Sequence, residues 1–229
     1  MIVKKVELNN FRNYKSLSLD LDKKTNILYG NNAQGKTNVL ESIYVCSTTK
    51  SHRTNRDSEL INLDSSEAHI KIYIEKKSRE HRIDIHLRKN KTKGIAIDSI
   101  PIKKASELFG LFNVVIFSPE DLDIIKKGPS ERRRFIDMEL CQLDKIYVYN
   151  LTNYNKIITQ RNRLLKDIYF KPELEQTLDV WDSQLAEYGS KIIQRREKFI
   201  SKINTIIKPI HKKITGGVED VEIVYNRNC

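Results

Sequence analysis

Gly30-Asn31-Asn32-Ala33-Gln34-Gly35-Lys36-Thr37 fits the pattern G-x-x-x-x-G-K-[ST] at every position, and each residue type suits a polyphosphate ligand. Gly30 and Gly35 let the backbone curl around an anion through dihedrals that a side chain forbids. The amides of Asn32 through Thr37 can then converge on phosphate oxygens, helped by the positive end of a helix beginning near Lys36. Lys36 offers a compact cation for β- and γ-phosphates, and the Thr37 hydroxyl a ligand for Mg²⁺. The competing reading is a solvated Gly-Lys turn capping an ordinary helix. Context weighs against it, because the strand-like run Thr25–Tyr29 precedes the motif and a helix with Val39, Leu40, Ile43 and Tyr44 on its apolar side follows.

Binding is not hydrolysis. A hydrolytic site of this kind also needs an acidic residue after a second buried strand, to hold Mg²⁺ and orient the attacking water. The nearest candidates are Glu120 and Asp121, after the continuous apolar run Val114–Phe117, which reads as a strand buried on both faces. Ser118 and Pro119 intervene and displace the carboxylates from the strand tip, so the segment reads as a linker between lobes. No catalytic residue is assigned.

The elements that must position this loop divide near Leu122, strand-rich before it and helical after it. Val6 and Leu8, then Leu17, Leu19 and Leu21, recur at period two. So do Ile70, Ile72 and Ile74, then Ile83, Ile85 and Leu87, then Ile95 and Ile97, which predicts an antiparallel meander. Past Gly128-Pro129, Ser130 is expected as an N-cap with Glu131 in the first turn. Tyr147, Leu151, Tyr154, Ile158, Arg161, Leu165 and Ile168 follow at alternating spacings of four and three. After the break at Lys171-Pro172, Leu174, Leu178, Trp181, Leu185, Tyr188 and Ile192 resume that rhythm. Two such seams predict an antiparallel helical hairpin. The expected organisation is an α/β nucleotide-binding lobe over 1–122, a helical lobe over 123–215, and the start of a further segment over 216–229, where Val221–Tyr225 reads as a strand.

Composition narrows the partners. The chain has 229 residues, 39% hydrophobic and 31% charged, which excludes a disordered chain. Forty-one Lys and Arg against 30 Asp and Glu give a net charge of +11, a balance that points to polyanionic partners, nucleic acid first. No apolar run is long enough to span a membrane, and the start MIVKKVELNN lacks the apolar core of a signal peptide, so a cytoplasmic protein is expected. Cys46, Cys141 and Cys229 are far apart without a CxxC pair, and read as reduced thiols.

Several segments in order resemble the RecF family of bacterial recombination mediator ATPases, relatives of the Rad50 and SMC heads. They are Asn10-Phe11-Arg12-Asn13-Tyr14, the P-loop continuing as Asn38-Val39-Leu40-Glu41, Ser51-His52-Arg53-Thr54, Phe117-Ser118-Pro119-Glu120-Asp121-Leu122, and Gly128 through Asp137. The resemblance covers residues 1 to about 170. It implies an ABC-type ATPase head in which Gly30 to Thr37 bind ATP and Mg²⁺, with Arg12 and Asn13 near the α-phosphate and base. From their own sequence, Arg12 and Asn13 read equally as a turn between strands. The position of the family's Q-loop, Ser118 to Leu122, holds no Gln. The signature motif and Walker B pair of the family are absent from these residues, so the chain reads as an N-terminal portion that binds ATP without appreciable turnover.

The resemblance further implies a DNA-binding protein of recombinational repair and replication-gap processing, linked to the SOS response. Its partners would be double-stranded DNA, gap junctions or single strands, a RecR-type mediator, and a second copy in an ATP-dependent homodimer of the full-length protein. For DNA contact the sequence offers Arg195, Lys198 and Lys202, which share a helix side at spacings of three and four, and Arg132, Arg133 and Arg134 at a helix start. A solvated basic face competes with both. Two other function classes remain, a P-loop phosphotransferase and an SMC-like structural head. The first needs an arginine-bearing lid and an acidic base near the acceptor, and the long hairpin makes a poor lid; the second is disfavoured because the hairpin turns at Lys171-Pro172.

Overall fold

A computed structural model describes residues 1–227. Two compact units form, residues 1–138 and 139–229. In the first, β1 (Ile2–Phe11), β2 (Tyr14–Asp20), β3 (Glu67–Lys76), β4 (Arg79–Arg88), β5 (Lys91–Ile97) and β6 (Ile100–Pro101) form one antiparallel sheet in the order β2-β1-β3-β4-β5-β6. The period-two residues do what their alternation predicts. Val6, Leu8, Ile70, Ile72, Ile74, Ile83, Ile85 and Leu87 are buried together, and α1 (Lys36–Thr48) sends Val45 and Cys46 into the same core. Two short hairpins set the register, with Lys77 and Ser78 and then Asp98 and Ser99 at positive φ, as tight β-turns demand. The outer face carries polar residues such as His69, Lys71, Asp84 and His86, which alternate with the buried set.

Two apolar runs read as strands are not strands. Thr25–Tyr29 and Val114–Phe117 belong to no strand among the described residues, and Val115 and Phe117 are each 88% exposed, not buried on both faces. Apolarity makes a segment fit to be a strand, but a ladder partner makes it one. Leu40 also departs from the expected apolar side of α1, at 49% exposed, whereas Val39 and Tyr44 are buried. The chain then continues through a 3-10 turn at Pro119–Leu122 and α2 (Asp123–Lys126).

The helix α3 (Pro129–Leu143) begins two residues earlier than Ser130 would place it as a cap. Pro129 takes the first helical position, where its fixed φ and missing N–H are tolerated, and Ser130 lies inside the first turn. In the second unit α4 (Lys145–Ile168) is capped by Asp144, whose side chain accepts from the amides of Ile146 and Tyr147. A 3-10 segment at Pro172–Thr177 makes the expected break, and α5 (Leu178–Ile214) returns antiparallel. The direction is fixed by cross-helix pairs running opposite ways, Arg161 with Asp182, Tyr149 with Tyr188, and Asp144 with Arg195. Tyr147 and Ile192 anchor the seam. Gly189 lets it close, because a Cβ there would lie 3.3 Å from the Tyr154 ring. Val221–Tyr225, read as a strand, carries no regular structure, because Ile223 spends its N–H and C=O on the Asn204 side chain of α5. Cys46 and Cys141 are buried and in no disulfide, and Cys229 lies outside the described residues. No helix is long and apolar enough to cross a membrane among the described residues.

Candidate nucleotide site

The loop 30–37 is built as its glycines require. Gly30 takes φ 138°, Ala33 φ 66°, and Gly35, the N-cap of α1, φ 98°. At Gly35 the reason is also steric. A Cβ would lie 2.7 Å from Asn13 Oδ1 and 2.8 Å from two atoms of the Tyr14 ring, so the turn after β1 presses directly on the loop. Asn38 adds a second tie, donating through Nδ2 to Asn13 Oδ1 at 2.8 Å, and Arg53 Nη1 donates to Asn38 Oδ1 at 3.0 Å.

The loop's donors are free. The backbone amides of Ala33, Gly35, Lys36 and Thr37 donate to no acceptor among the described residues, the first intrahelical bonds of α1 being those of Asn38 and Val39 to the Gly35 carbonyl. Lys36 Nζ folds back on the Gly30 and Asn31 carbonyls at 2.7 and 2.6 Å. A cation resting on two neutral carbonyls is poised to exchange them for phosphate oxygens, which bind it more strongly. Asn31, Asn32, Ala33, Gln34 and Thr37 are exposed on the loop surface, with the Thr37 hydroxyl at the start of the helix.

Sequence reasoning put Arg12 and Asn13 together, and the structure gives them different surroundings. Asn13 meets the loop. Arg12, at φ 53°, turns instead to Glu41 in the first half of α1, with Nε and Nη2 on its carboxylate and Nη1 on the Glu59 carbonyl at 2.8 Å. Glu41 is the residue the sequence reading missed. It is wholly buried, accepts from Ser51 Oγ at 2.5 Å, and has Arg53 at 3.5 Å. Burial pushes its carboxyl up, but the Arg12 and Ser51 hydrogen bonds and the charges of Arg12 and Arg53 outweigh it and hold it below the usual carboxylate range. The signal was available, because Glu41 sits between Val39 and Tyr44 on a helix face that must be buried, and a buried carboxylate needs partners.

Glu120 and Asp121 are engaged elsewhere. Glu120 lies 3.7 Å from Arg53, and Asp121 Oδ2 accepts from the Ser118 amide at 2.6 Å as part of a capping box. They border a cleft of about 440 Å³ lined also by His52, Arg56, Lys127 and Arg134. Of the arginines at the start of α3, Arg132 donates to the Ile124 and Lys127 carbonyls, Arg134 lies 3.8 Å from Glu131, and Arg133 is exposed. On α5 the basic stretch is less bare than its own sequence suggests. Arg195 is bound to Asp144 at 2.6 Å, Lys208 to Glu222 and Lys212 to Asp220, while Lys198 and Lys202 are exposed without an ion pair among the described residues.

The family described as AAA domain matches residues 5–216. The DNA replication and repair protein RecF of Lachnospira eligens is 61% identical over 98% of this chain and 62% of its own length. That of Clostridium acetobutylicum is 50% identical over 98% of this chain and 61% of its own. Among solved structures, the recombination mediator protein RecF-ATP of the RecFOR pathway superimposes with a TM-score of 0.93 at 36% identity, over 98% of this chain and 60% of that one. The chain thus spans about three-fifths of the length of the relatives it matches.

Proposed function

The chain belongs to the AAA domain family and matches RecF proteins along 98% of its length, and on that premise we propose that it carries the ATP-binding part of a RecF-type DNA repair protein. The observation that carries this reading is the loop 30–37 itself, with free amides at Ala33, Gly35, Lys36 and Thr37 and with Lys36 resting on two loop carbonyls. A triphosphate would accept from those amides and draw Lys36 off Gly30 and Asn31, and Mg²⁺ would take the Thr37 hydroxyl. Asn13 would hold the loop shape through Gly35 and Asn38. Arg12 would act one step back, by fixing Glu41 and thereby α1.

Turnover is a separate matter. Glu120 and Asp121 serve Arg53 and the Ser118 amide, so these residues alone would bind ATP without hydrolysing it appreciably. In the whole protein, ATP would gate dimerisation on DNA in the bacterial cytoplasm, at double-stranded or gapped sites of repair and replication, with a RecR-type mediator as partner and a link to the SOS response. Exposed Lys198 and Lys202 on α5, and Arg133 on α3, would supply sequence-independent phosphate contacts.

The test is titration with a fluorescent ATP analogue and Mg²⁺, for the chain and for Lys36→Ala, with circular dichroism confirming that both are folded. Saturable binding lost in the variant is expected. Equal binding by both would overturn the site, and steady-state hydrolysis abolished by Lys36→Ala would overturn the reading of binding without turnover.

A further inference from the structure

On the outer face of the sheet, away from the apolar core, β3 and β4 bring two imidazoles and a carboxylate together. His69 and His86 are directly opposed across the antiparallel pair, and Glu67 lies two residues before His69, hence on the same face. The imidazole rings stack with centroids 4.0 Å apart and planes 18° from parallel. His86 Nε2 is 2.9 Å from Glu67 Oε2, and His69 Nε2 is 4.0 Å from Glu67 Oε1. One donor atom from each of the three residues lies within 4.8 Å of the others.

We propose that Glu67, His69 and His86 form a binding site for a divalent transition-metal ion of the Zn²⁺ class. Ligands about 2.0–2.1 Å from a tetrahedral Zn²⁺ are about 3.4 Å apart, close to the separations here; the stacked rings, whose in-plane lone pairs run side by side, would have to turn about their side-chain torsions to converge on one ion. Two imidazoles and one carboxylate suit Zn²⁺, Ni²⁺ or Cu²⁺ and not Mg²⁺, which prefers an all-oxygen octahedron. The donors come from both strands of a paired ladder, so the backbone register holds them in place before any ion arrives.

The neighbouring strand supplies the second observation. Gly94 of β5 stands opposite His86, where any other residue would put a side chain beside the ring. A hollow of about 200 Å³ opens there, lined by His69, His86, Gly94, Ala96 and Pro101. Three protein donors beside such a hollow leave room for a fourth ligand, water or an exogenous donor. The site lies on residues that the nucleotide loop does not use.

The test is competition between the folded chain and a chromogenic zinc chelator near pH 7.5, with Zn²⁺ alone as the probe. One equivalent bound with micromolar affinity is expected, weakened by at least about tenfold in His69→Ala and in His86→Ala. Glu67→Gln should weaken it too, while His81→Ala, a histidine paired to Asp98 elsewhere on β4, should not. Because a strand substitution can disturb folding, each variant is also checked for an unchanged far-UV spectrum and for the rise in unfolding midpoint that Zn²⁺ gives the parent chain. Binding that persists unchanged in a folded variant carrying both His69→Ala and His86→Ala, or no binding by the parent chain, overturns the proposal.

Discussion

Arg12 holds Glu41 with two donors, Nε on Oε2 at 2.9 Å and Nη2 on Oε1 at 2.6 Å, and the carboxylate is wholly buried in the flank of the helix that starts at the P-loop. The turn after β1 is thereby fixed to α1 at two places, through this pair and through Asn13 at Gly35. Removing one partner of a buried ion pair leaves the other uncompensated. Arg12→Ala should therefore lower stability by about 3 kcal/mol in urea unfolding, even though Ser51 and Arg53 still face Glu41. The folded Glu41 carboxyl titrates below its unfolded value, so its contribution is complete above the usual carboxylate range, near pH 4.3, and is lost as pH falls through the folded value. A shallower loss of stability on acidification in Arg12→Ala is the matching result, and an unchanged acid profile would count against the pair.

Gly35→Ala tests the loop without touching a charge. The new Cβ would meet Asn13 Oδ1 at 2.7 Å and the Tyr14 ring at 2.8 Å, at a φ of 98° that also disfavours alanine. Backbone strain alone costs about 1–2 kcal/mol, and the clash adds to it. ATP-analogue binding should fall further than in Gly128→Ala, whose Cβ would enter open space. Equal binding by the two variants would show that the approach of Asn13 to the loop is unimportant.

His52 predicts a pH dependence on the neutral side. Both ring nitrogens are buried without a partner, and the ring meets Tyr44 edge-on. Burial lowers its pKa and Arg53 adds to this, while Glu41, Glu120 and Asp121 oppose it. With the folded value below the ordinary histidine value near 6.5, the unfolded chain binds more protons in the interval between them, so stability rises with pH there. Urea midpoints measured at pH 5.5 and 7.5 should differ less in His52→Phe than in the parent chain.

Lys198 and Lys202 are exposed cations midway along α5 that no acidic group claims among the described residues, as is Lys213 near its end, whereas Arg195 is held by Asp144. If Lys198 and Lys202 touch DNA phosphates, replacing both by Glu should lower non-specific duplex affinity and reduce the slope of log K against log salt by about 2. Arg195→Ala should instead chiefly weaken the hairpin, detected as a lower unfolding midpoint. An unaltered salt slope in the double variant would move the DNA surface elsewhere.

The sequence by itself determined what depends on local spacing. The G-x-x-x-x-G-K-T run, the isoleucine alternation in Ile70–Ile74 and Ile83–Leu87, and the four-three rhythm from Tyr147 to Ile192 each specify an element from its own residues. Tertiary structure decided what depends on partners from elsewhere in the chain. Thr25–Tyr29 and Val114–Phe117 are apolar enough for strands yet belong to none among the described residues. Glu41 is an acid whose partners stand 29 residues before it and 10 after it. The lysines of α5 that stay free were selected by acids at Asp144, Asp220 and Glu222, outside the basic stretch itself. His69 and His86 are 17 residues apart and meet only because one hairpin register sets them opposite each other. A one-residue slip would have turned either ring toward the core, since side chains alternate faces along a strand. Periodicity is a property of the local chain, whereas charge compensation and ligand geometry are properties of register and packing.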